Sequence, residues 1–348
     1  MGDFPSRSAV RRPTDADGPP IPPDQRRGGQ PLGGGGALPT KARFSMESGF
    51  RGLSTAAGAM VLVIIVAIAI FLVSKAVPVL SANTENFLTY KAWFPNDTEP
   101  RFGIAALAFG TVLSSVIALL VAVPIALGIA LFLSHYAPKR LATPLGFVID
   151  LLAAVPSVVF GLWGRDVFSQ PVQDFSVWLN KYFGWLPIFG GDGPFGRSIL
   201  LGSLVLAIMV LPIVTSLSRE VFQQTPGMNE EAALALGATK WEMIRTAVLP
   251  FGKPGVIAAV MLGLGRALGE TIALALTLGT TFTISANLIQ SGGNSIAANI
   301  ANTFGEANAT GRGALIASGL VLFAITLVVN MIARAIIYRR REFRDSSA

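Results

Sequence analysis

Cysteine, histidine and charge are all scarce in this sequence. There is no cysteine among the 348 residues, which excludes disulfides and thiolate metal sites. The lone histidine, His135, lies at the end of a long uncharged stretch, and we interpret it as a solvated loop residue rather than a ligand. Only 14% of the residues are charged, against about a quarter in an average soluble domain, so we expect lipid to be the main solvent.

Hydrophobic residues make up 52% of the chain and are gathered into long runs with little or no charge. A helix that crosses a bilayer needs about 20 mostly apolar residues, and six regions approach this length. They are about 52–76, 102–135, 142–164, 198–218, 254–280 and 313–335. One such run fits a buried helix of a large soluble protein, but six of them predict an all-α membrane protein with six transmembrane helices.

Lys and Arg are unevenly divided between the segments that connect these regions. With the N-terminus placed on the cytoplasmic side, 19 of them fall on that side and 7 on the other. Because positive residues accumulate on the cytoplasmic side, both termini are predicted to be cytoplasmic. The net charge of +7 then reflects topology and contact with membrane lipid, and we expect no nucleic-acid partner.

Residues 1–45 differ in composition from the rest of the chain. They contain eight Pro and eight Gly, which is typical of disordered low-complexity segments. We predict a disordered cytoplasmic tail over 1–45 and a transmembrane domain over 46–348. The first apolar run begins too late for a cleaved secretory signal and is expected to be retained.

Two connecting segments on the outer side are long. Residues 165–197 are rich in Phe, Trp and Tyr, which favours a partly amphipathic stretch at the outer membrane interface, a docking surface for an external partner, or both. Residues 280–312 are rich in Gly, Ser and Asn and are predicted to form a lid or a simple connection.

The segment between the fourth and fifth apolar regions, residues 225–250, has strong local signals. Asn229 is predicted to cap a short helix, and Gly237 to end it in a left-handed turn. Thr239 and Glu242 form an S/T-x-x-E capping box that starts a second helix. The prediction is two short helices that meet at a glycine elbow in the cytoplasm.

Large apolar side chains accompany this elbow although water is expected around it. They are Met228, Leu234, Leu236 and Trp241. Such residues favour either docking into a cleft of another protein or an amphipathic connector that lies on the membrane. The residues alone leave both interpretations open.

Three ionisable residues interrupt the apolar regions away from their ends: Asp150 in the third, and Arg266 and Glu270 in the fifth. Arg266 follows Pro254 by about 12 residues, or about 18 Å of helix, which is near the middle of the bilayer. A charge at that depth is expected to face a partner or a water-filled path. Glu270 is predicted to pair with Arg266 on the same helix face. All three are candidates for a substrate path, unless Arg266 and Glu270 only neutralise each other and fix helix packing.

The elbow resembles a known motif. Glu231-Ala232-Ala233, then Gly237, then Leu249-Pro250, have the spacing of the EAA loop of ATP-binding-cassette (ABC) importer permeases, although the family's usual Ile before the Leu is Ala247 here. The resemblance implies the type I ABC importer permease fold. It also implies that this loop couples the chain to an ATPase subunit through Glu231, Ala232, Ala233, Gly237, Thr239, Trp241, Leu249 and Pro250.

Two further stretches resemble signatures of phosphate-specific ABC transporter permeases. Residues 155–161, VPSVVFG, are similar to IPSVVYG, with Val155 for the Ile and Phe160 for the Tyr, and residues 265–271 match GRALGET. Residues 295–306 are more similar to the C-type permease subunit than to its A-type partner. The lost hydroxyl at Phe160 makes a polar role at that position doubtful.

The resemblance implies a permease subunit of an ATP-driven phosphate importer in the bacterial cell membrane. The expected partners are a homologous A-type permease subunit, two ATPase subunits that bind ATP and Mg, and a phosphate-binding protein. The chain has no G-x-x-x-x-G-K-S/T motif, so we expect a transport subunit with no catalytic residues, no metal site and no cofactor of its own.

Other functions stay open at this point. A permease for another oxyanion, such as sulfate or molybdate, would share the EAA loop. An ATP-independent anion transporter or channel would not need the elbow, and a membrane-embedded phosphate sensor would bind the anion without moving it.

Overall fold

The computed structural model describes the backbone of residues 41–345 and the side chains of residues 48–335. The predicted tail therefore lies outside the described residues, apart from residues 41–45, which already belong to the first helix. The helix up to Leu62 and the chain from Val63 onward are separate compact units, and the core and sites described below lie in the second.

The described part is mostly helical. Its helices are α1 Lys41–Ala82, α2 Ala105–Leu131, α3 Lys139–Ala153, α4 Ser157–Trp163, α5 Ser169–Phe183, α6 Ile199–Gln223, α7 Gly227–Ala235, α8 Lys240–Met243, α9 Leu249–Leu268, α10 Ile272–Thr277, α11 Ile296–Thr303 and α12 Ala309–Asp345. Five-residue π-helical turns follow α2 (Phe132–Tyr136), α4 (Gly164–Phe168) and α8 (Ile244–Val248). Two antiparallel two-residue strands, β1 Trp93–Phe94 and β2 Arg101–Phe102, precede α2.

Most of the predicted membrane spans are present as long apolar helices. Among the described residues, five helical stretches are long and apolar enough to cross a membrane: Ser48–Ala82, Ala105–Tyr136, Ile199–Gln223, Lys240–Leu268 and Ala309–Ala335. A sixth is reached if the bent pair formed by Lys139–Ala153 and Ser157–Phe183 is one span. The all-α membrane fold predicted from the sequence is confirmed.

The third predicted span is not one continuous helix. α3 ends at Ala153, and the next helical stretch begins at Ser157 with its axis turned by 89°. Pro156 lies at the bend, has no backbone N–H to donate, and disfavours a helical conformation at the preceding residue. The sequence predicted one span over about 142–164, and the structure has a sharp corner within it.

The fifth predicted span, about 254–280, is also interrupted. α9 ends at Leu268, its C-cap Gly269 leaves the helical conformation, and the short helix α10 begins only at Ile272. The prediction that Arg266 and Glu270 share one helix face was therefore wrong. The helix stops between them.

The core of the second unit lies where α2, α6 and α9 meet. Ala118, Ala122 and Ala126 are fully buried at four-residue spacing on α2 and pack in one cluster with Leu206 and Val210 of α6. Small residues at this spacing let helices in a membrane approach closely. Ala267 of α9 belongs to the same cluster, so the helix that carries Arg266 is packed against α6.

Segment 165–197, which was predicted to lie on the outer side, contains more regular structure than the sequence predicted. It forms α5, whose Trp178 stacks on Phe175 with ring centroids 5.8 Å apart and remains about half exposed. An exposed aromatic face of this kind is typical of a helix at a membrane interface. Segment 280–312 contains α11 and is joined to the end of segment 165–197 by the bridges Phe195–Gln290 and Ser198–Ser291.

Candidate functional site

The predicted elbow is present and its glycine adopts the predicted conformation. Gly237 follows α7 with φ of 85°, in the left-handed region that favours glycine. Its N–H donates to the carbonyl of Leu234 at 2.9 Å, and the N–H of Ala238 donates to the carbonyl of Ala233 at 3.2 Å. This pair of bonds is a Schellman motif, which satisfies carbonyl groups that the end of α7 would leave free.

The start of α7 differs from the prediction. The helix begins at Gly227 with Pro226 as its N-cap, so Asn229 lies inside the first turn and donates its backbone N–H to the carbonyl of Pro226 at 3.0 Å. Proline before the helix fixes a backbone conformation suited to its start, and this local effect outweighs the capping preference of Asn229. The prediction that Asn229 is the N-cap of this helix was wrong.

The second helix of the elbow begins as predicted, with a complete capping box. The backbone N–H of Glu242 donates to Thr239 Oγ1 at 3.3 Å, and the backbone N–H of Thr239 donates to Glu242 Oε2 at 2.8 Å. α8 then passes through the π-helical turn directly into α9, in which Leu249 and Pro250 form the first turn. The second helix of the elbow and α9, which carries Arg266, are thus one continuous helical stretch.

Three large apolar side chains of the elbow are not covered by other described residues. Met228 is 79% exposed, Leu236 is 90% exposed and Trp241 is 55% exposed. The opposite side is anchored, because Met243, Ile244 and Val248 are buried in one cluster with Ala130 of α2 and Phe222 of α6. The elbow is therefore attached to packed helices and is not a loose loop.

His135 is the functional candidate that the sequence interpretation missed. Its side chain is only 7% exposed, and Nε2 lies 3.3 Å from Glu230 Oε1 on α7, while Nδ1 lies 2.6 Å from Ser134 Oγ. The neighbouring Tyr136 ring lies under the Lys240 ammonium group at 4.9 Å. The interpretation of His135 as a solvated loop residue was wrong; the π-helical turn after α2 holds both helices of the elbow.

Arg266 lines a cavity between four helices. The cavity has a volume of about 780 Å³. Its lining residues come from α3, α6, α9 and α12: Ala153, Ile213, Ala258, Met261, Leu262, Gly265, Arg266, Asn330, Ala333 and Arg334. Because most of these are apolar, the two arginines and the asparagine are the polar groups available to a solute inside it.

The guanidinium of Arg266 is exposed, and it has no hydrogen bond or ion pair with any residue whose side chain the structure describes. An arginine without a partner is unfavourable in hydrocarbon, so its position at a cavity agrees with the expectation of a water-accessible site. Its five donors form a planar fork that suits an oxyanion.

Asp150 lies beside this cavity, one turn of α3 before the lining residue Ala153. It accepts a hydrogen bond of 2.5 Å from Ser216 Oγ, and Ser216 lies one turn of α6 beyond the lining residue Ile213. The partner that this chain provides for Asp150 is therefore a neutral hydroxyl group. Asp150 and Ser216 thus join the two helices at the cavity edge.

Glu270 has a different position from the one predicted. Its carboxylate accepts a hydrogen bond of 3.1 Å from the backbone N–H of Ala273, and the residue is only 7% exposed. It caps the first turn of α10 rather than meeting Arg266, and it is not among the residues that line the cavity. Arg266 and Glu270 therefore do not form the predicted ion pair: Arg266 lines the cavity, and Glu270 caps α10.

Comparison with known proteins gives a consistent family relationship. Residues 112–342 match the family model described as the binding-protein-dependent transport system inner membrane component. "Phosphate transport system permease protein PstC 2" of Mycobacterium tuberculosis is 48% identical over 292 residues, which cover 82% of this chain and 90% of that protein. "Phosphate transport system permease protein PstC" of Xylella fastidiosa (strain Temecula1) is 42% identical over 294 residues, with 83% and 90% covered.

A solved structure agrees with the fold. The chain is similar to the "bacterial ABC transporter involved in the import of the acidic polysaccharide alginate", with a TM-score of 0.51 and 16% sequence identity over 85% of this chain and 99% of that one. At this identity the similarity concerns the fold alone. It supports the importer permease architecture that the elbow motif predicted.

Proposed function

Since the chain belongs to the family of binding-protein-dependent transport system inner membrane components, we propose that it is the permease subunit of an ATP-driven importer of inorganic phosphate. As a family member it is a multi-pass protein of the bacterial membrane and a transport subunit rather than an enzyme. The finer assignment to phosphate is supported by relatives that are 38–49% identical and are named as phosphate transport permeases.

One observation carries the proposal: the elbow that presents an apolar face continues directly into the helix that carries Arg266. Movement of the elbow would reach the cavity through about 17 residues of continuous helix, or about 26 Å. The arrangement can convert work done on a cytoplasmic surface into movement of a cation inside the membrane. A channel or a sensor has no need of such a connection.

We propose that the apolar side of the elbow enters a cleft on an ATPase subunit, which binds ATP and Mg. Burial of Met228, Leu236 and Trp241 would then replace their contact with water. A homologous permease subunit would provide the other half of the path, and an external binding protein would deliver phosphate. Closure of the ATPase pair would alternate access between the two sides of the membrane.

In this mechanism Arg266 binds the oxyanion. Guanidinium groups form charge-assisted hydrogen bonds to phosphate oxygens, and these bonds strengthen in a site of low dielectric constant. The cavity walls contributed by Met261 and Leu262 are apolar and would reduce competition by water. Sulfate and molybdate are the alternative oxyanions, and they would meet the same guanidinium.

The test is phosphate uptake by vesicles that contain the reconstituted complex with its partner permease, ATPases and binding protein. Uptake should require ATP, should resist excess sulfate and should fall about 100-fold in Arg266→Ala, because two or more charge-assisted bonds are lost. Arg140→Ala, an exposed cation away from the cavity, is the matched control and should transport normally. Uptake without ATP would contradict the importer mechanism, and inhibition by sulfate would contradict the substrate.

A further inference from the structure

Arg334 and Asn330 line the same cavity as Arg266. They are four residues apart on α12 and therefore share one face of the helix. Both are exposed, and neither makes a hydrogen bond or ion pair within the part of the chain whose side chains are described. From the sequence, Arg334 counted only as one of the positive residues that flank a membrane span.

The two arginines lie at different positions along the length of the cavity. α9 and α12 are successive candidate spans and so cross the membrane in opposite senses. On α9 the lining residues run from Ala258 to Arg266, about 12 Å along the axis, with Ala258 nearer to the elbow. On α12, Arg334 is about 6 Å nearer to the elbow side than Asn330. Arg266 thus lies toward one end of the cavity and Arg334 toward the other.

An anion bound to a single guanidinium in an apolar cavity would dissociate slowly. Transport paths resolve this with several sites of moderate affinity, so that a bound ion has a second partner to move to. Asn330 can donate its amide N–H groups to phosphate oxygens, and Arg334 offers a second planar fork. The cavity thus has donors at both ends and an apolar wall between them.

We propose that Arg334 and Asn330 form a second oxyanion site, which receives phosphate from Arg266 on its way toward the elbow side. This proposal rests on the proposed function, since it names the next contact of the same substrate. The same chemistry suits the phosphate of a lipid head group, because the cavity is open between helices. The experiment must therefore separate a transported phosphate from a bound lipid.

The maximal rate of ATP-dependent phosphate uptake should be measured in vesicles that contain the full complex. Arg334→Gln should lower that rate about tenfold, the effect of losing one charge-assisted contact. The external phosphate concentration that gives half-maximal uptake should change less than about twofold, because entry precedes this site. Arg334→Lys should restore most of the rate, and Asn330→Leu should lower it about threefold. Arg140→Gln is again the control.

The outcomes are distinct. Arg334→Gln at the wild-type rate, in a complex of normal subunit composition, overturns the second site. A rate defect that appears only when the vesicles contain phosphatidylglycerol, and is absent in phosphatidylcholine alone, also overturns it, because the arginine then binds lipid. If the wild-type complex takes up no phosphate, the proposed function itself fails, and the second site fails with it.

Discussion

Nε2 of His135, in the π-helical turn that follows α2, lies 3.3 Å from Oε1 of Glu230 on the first helix of the elbow. The EAA loop is thus connected to the membrane helices at two points. One is the continuous helical passage from α8 into α9, and the other is this contact with the second span. Movement of the elbow should therefore act on both α2 and α9.

The contact predicts coupled effects of substitutions at its two residues. His135→Ala and Glu230→Ala should each destabilise the purified chain by about 1 kcal/mol, and the double variant should lose less than the sum. The interaction energy from a double-mutant cycle of thermal unfolding should be about 0.5–1.5 kcal/mol. Glu231→Ala is the control partner, because no hydrogen bond joins it to His135. Strict additivity with Glu230→Ala would show that the contact contributes nothing.

The left-handed conformation at Gly237 predicts a specific cost for a side chain there. Gly237→Ala should destabilise the elbow by about 1–2 kcal/mol, because φ is 85° although no atom lies within 4 Å of the added Cβ. Gly227→Ala is the matched control: its Cβ also meets nothing within 4 Å, and its φ lies outside the left-handed region. ATP-dependent uptake should fall in the first variant and not in the second. Equal activity of the two would argue against a fixed elbow.

The exposed side of the elbow predicts where the ATPase binds. Leu236→Ala should weaken co-purification of the ATPase by about tenfold, as truncation of an interface anchor does. Trp185→Ala removes another highly exposed apolar side chain, 77% exposed in the outer segment, and should leave ATPase binding unchanged. If both variants retain the ATPase equally, the elbow lies on the membrane as an amphipathic connector.

The close approach of α6 and α9 predicts different effects of two neighbouring glycines. At Gly263 an added Cβ would lie 2.8 Å from Val210 and 2.9 Å from Val214, whereas at Gly265 it would meet nothing within 4 Å. Gly263→Ala should therefore cost about 1–3 kcal/mol of stability, and Gly265→Ala should cost less than about 0.5 kcal/mol. Thermal unfolding in detergent measures both. The reverse order would contradict the packing of α9.

The hydrogen bond accepted by Glu270 predicts that removing only its charge affects stability less than removing the accepting oxygen. Glu270→Gln keeps an acceptor for the N–H of Ala273 and should retain stability within about 0.5 kcal/mol, whereas Glu270→Ala should lose about 1 kcal/mol. Phosphate affinity and sulfate rejection, measured by uptake in the Gln variant, test whether Glu270 belongs to the substrate path. Unchanged values would leave it the role of a helix cap.

The features that were predictable from the sequence are those set by neighbouring residues. The capping box depends on Thr239 and Glu242, three residues apart, and the left-handed turn depends on Gly237 alone. The spans are set by runs of apolar residues, which is why their number and order were also predictable. Where two local signals competed, as at Pro226 and Asn229, the sequence did not indicate which would decide the start of the helix.

The features that were not predictable depend on contacts between distant parts of the chain. Helix periodicity placed Glu270 beside Arg266, but a bend at Gly269 turns the carboxylate toward a backbone N–H that periodicity does not represent. His135 and Glu230 are 95 residues apart in sequence. The cavity takes its walls from four helices, so Arg334 could not be associated with Arg266 before the packing of α12 was known.

The π-helical turn Ile244–Val248 lies between the elbow and α9. Such a turn accommodates one residue more than the α-helical geometry on either side of it. Its conversion to α-helix would rotate everything beyond it by the angle of one residue, about 100°. Because Gly263 of α9 packs against Val210 and Val214 of α6, the helix beyond the turn is held in place. The extra residue in the turn therefore sets the angle, about the helix axis, between the elbow and the Arg266 guanidinium.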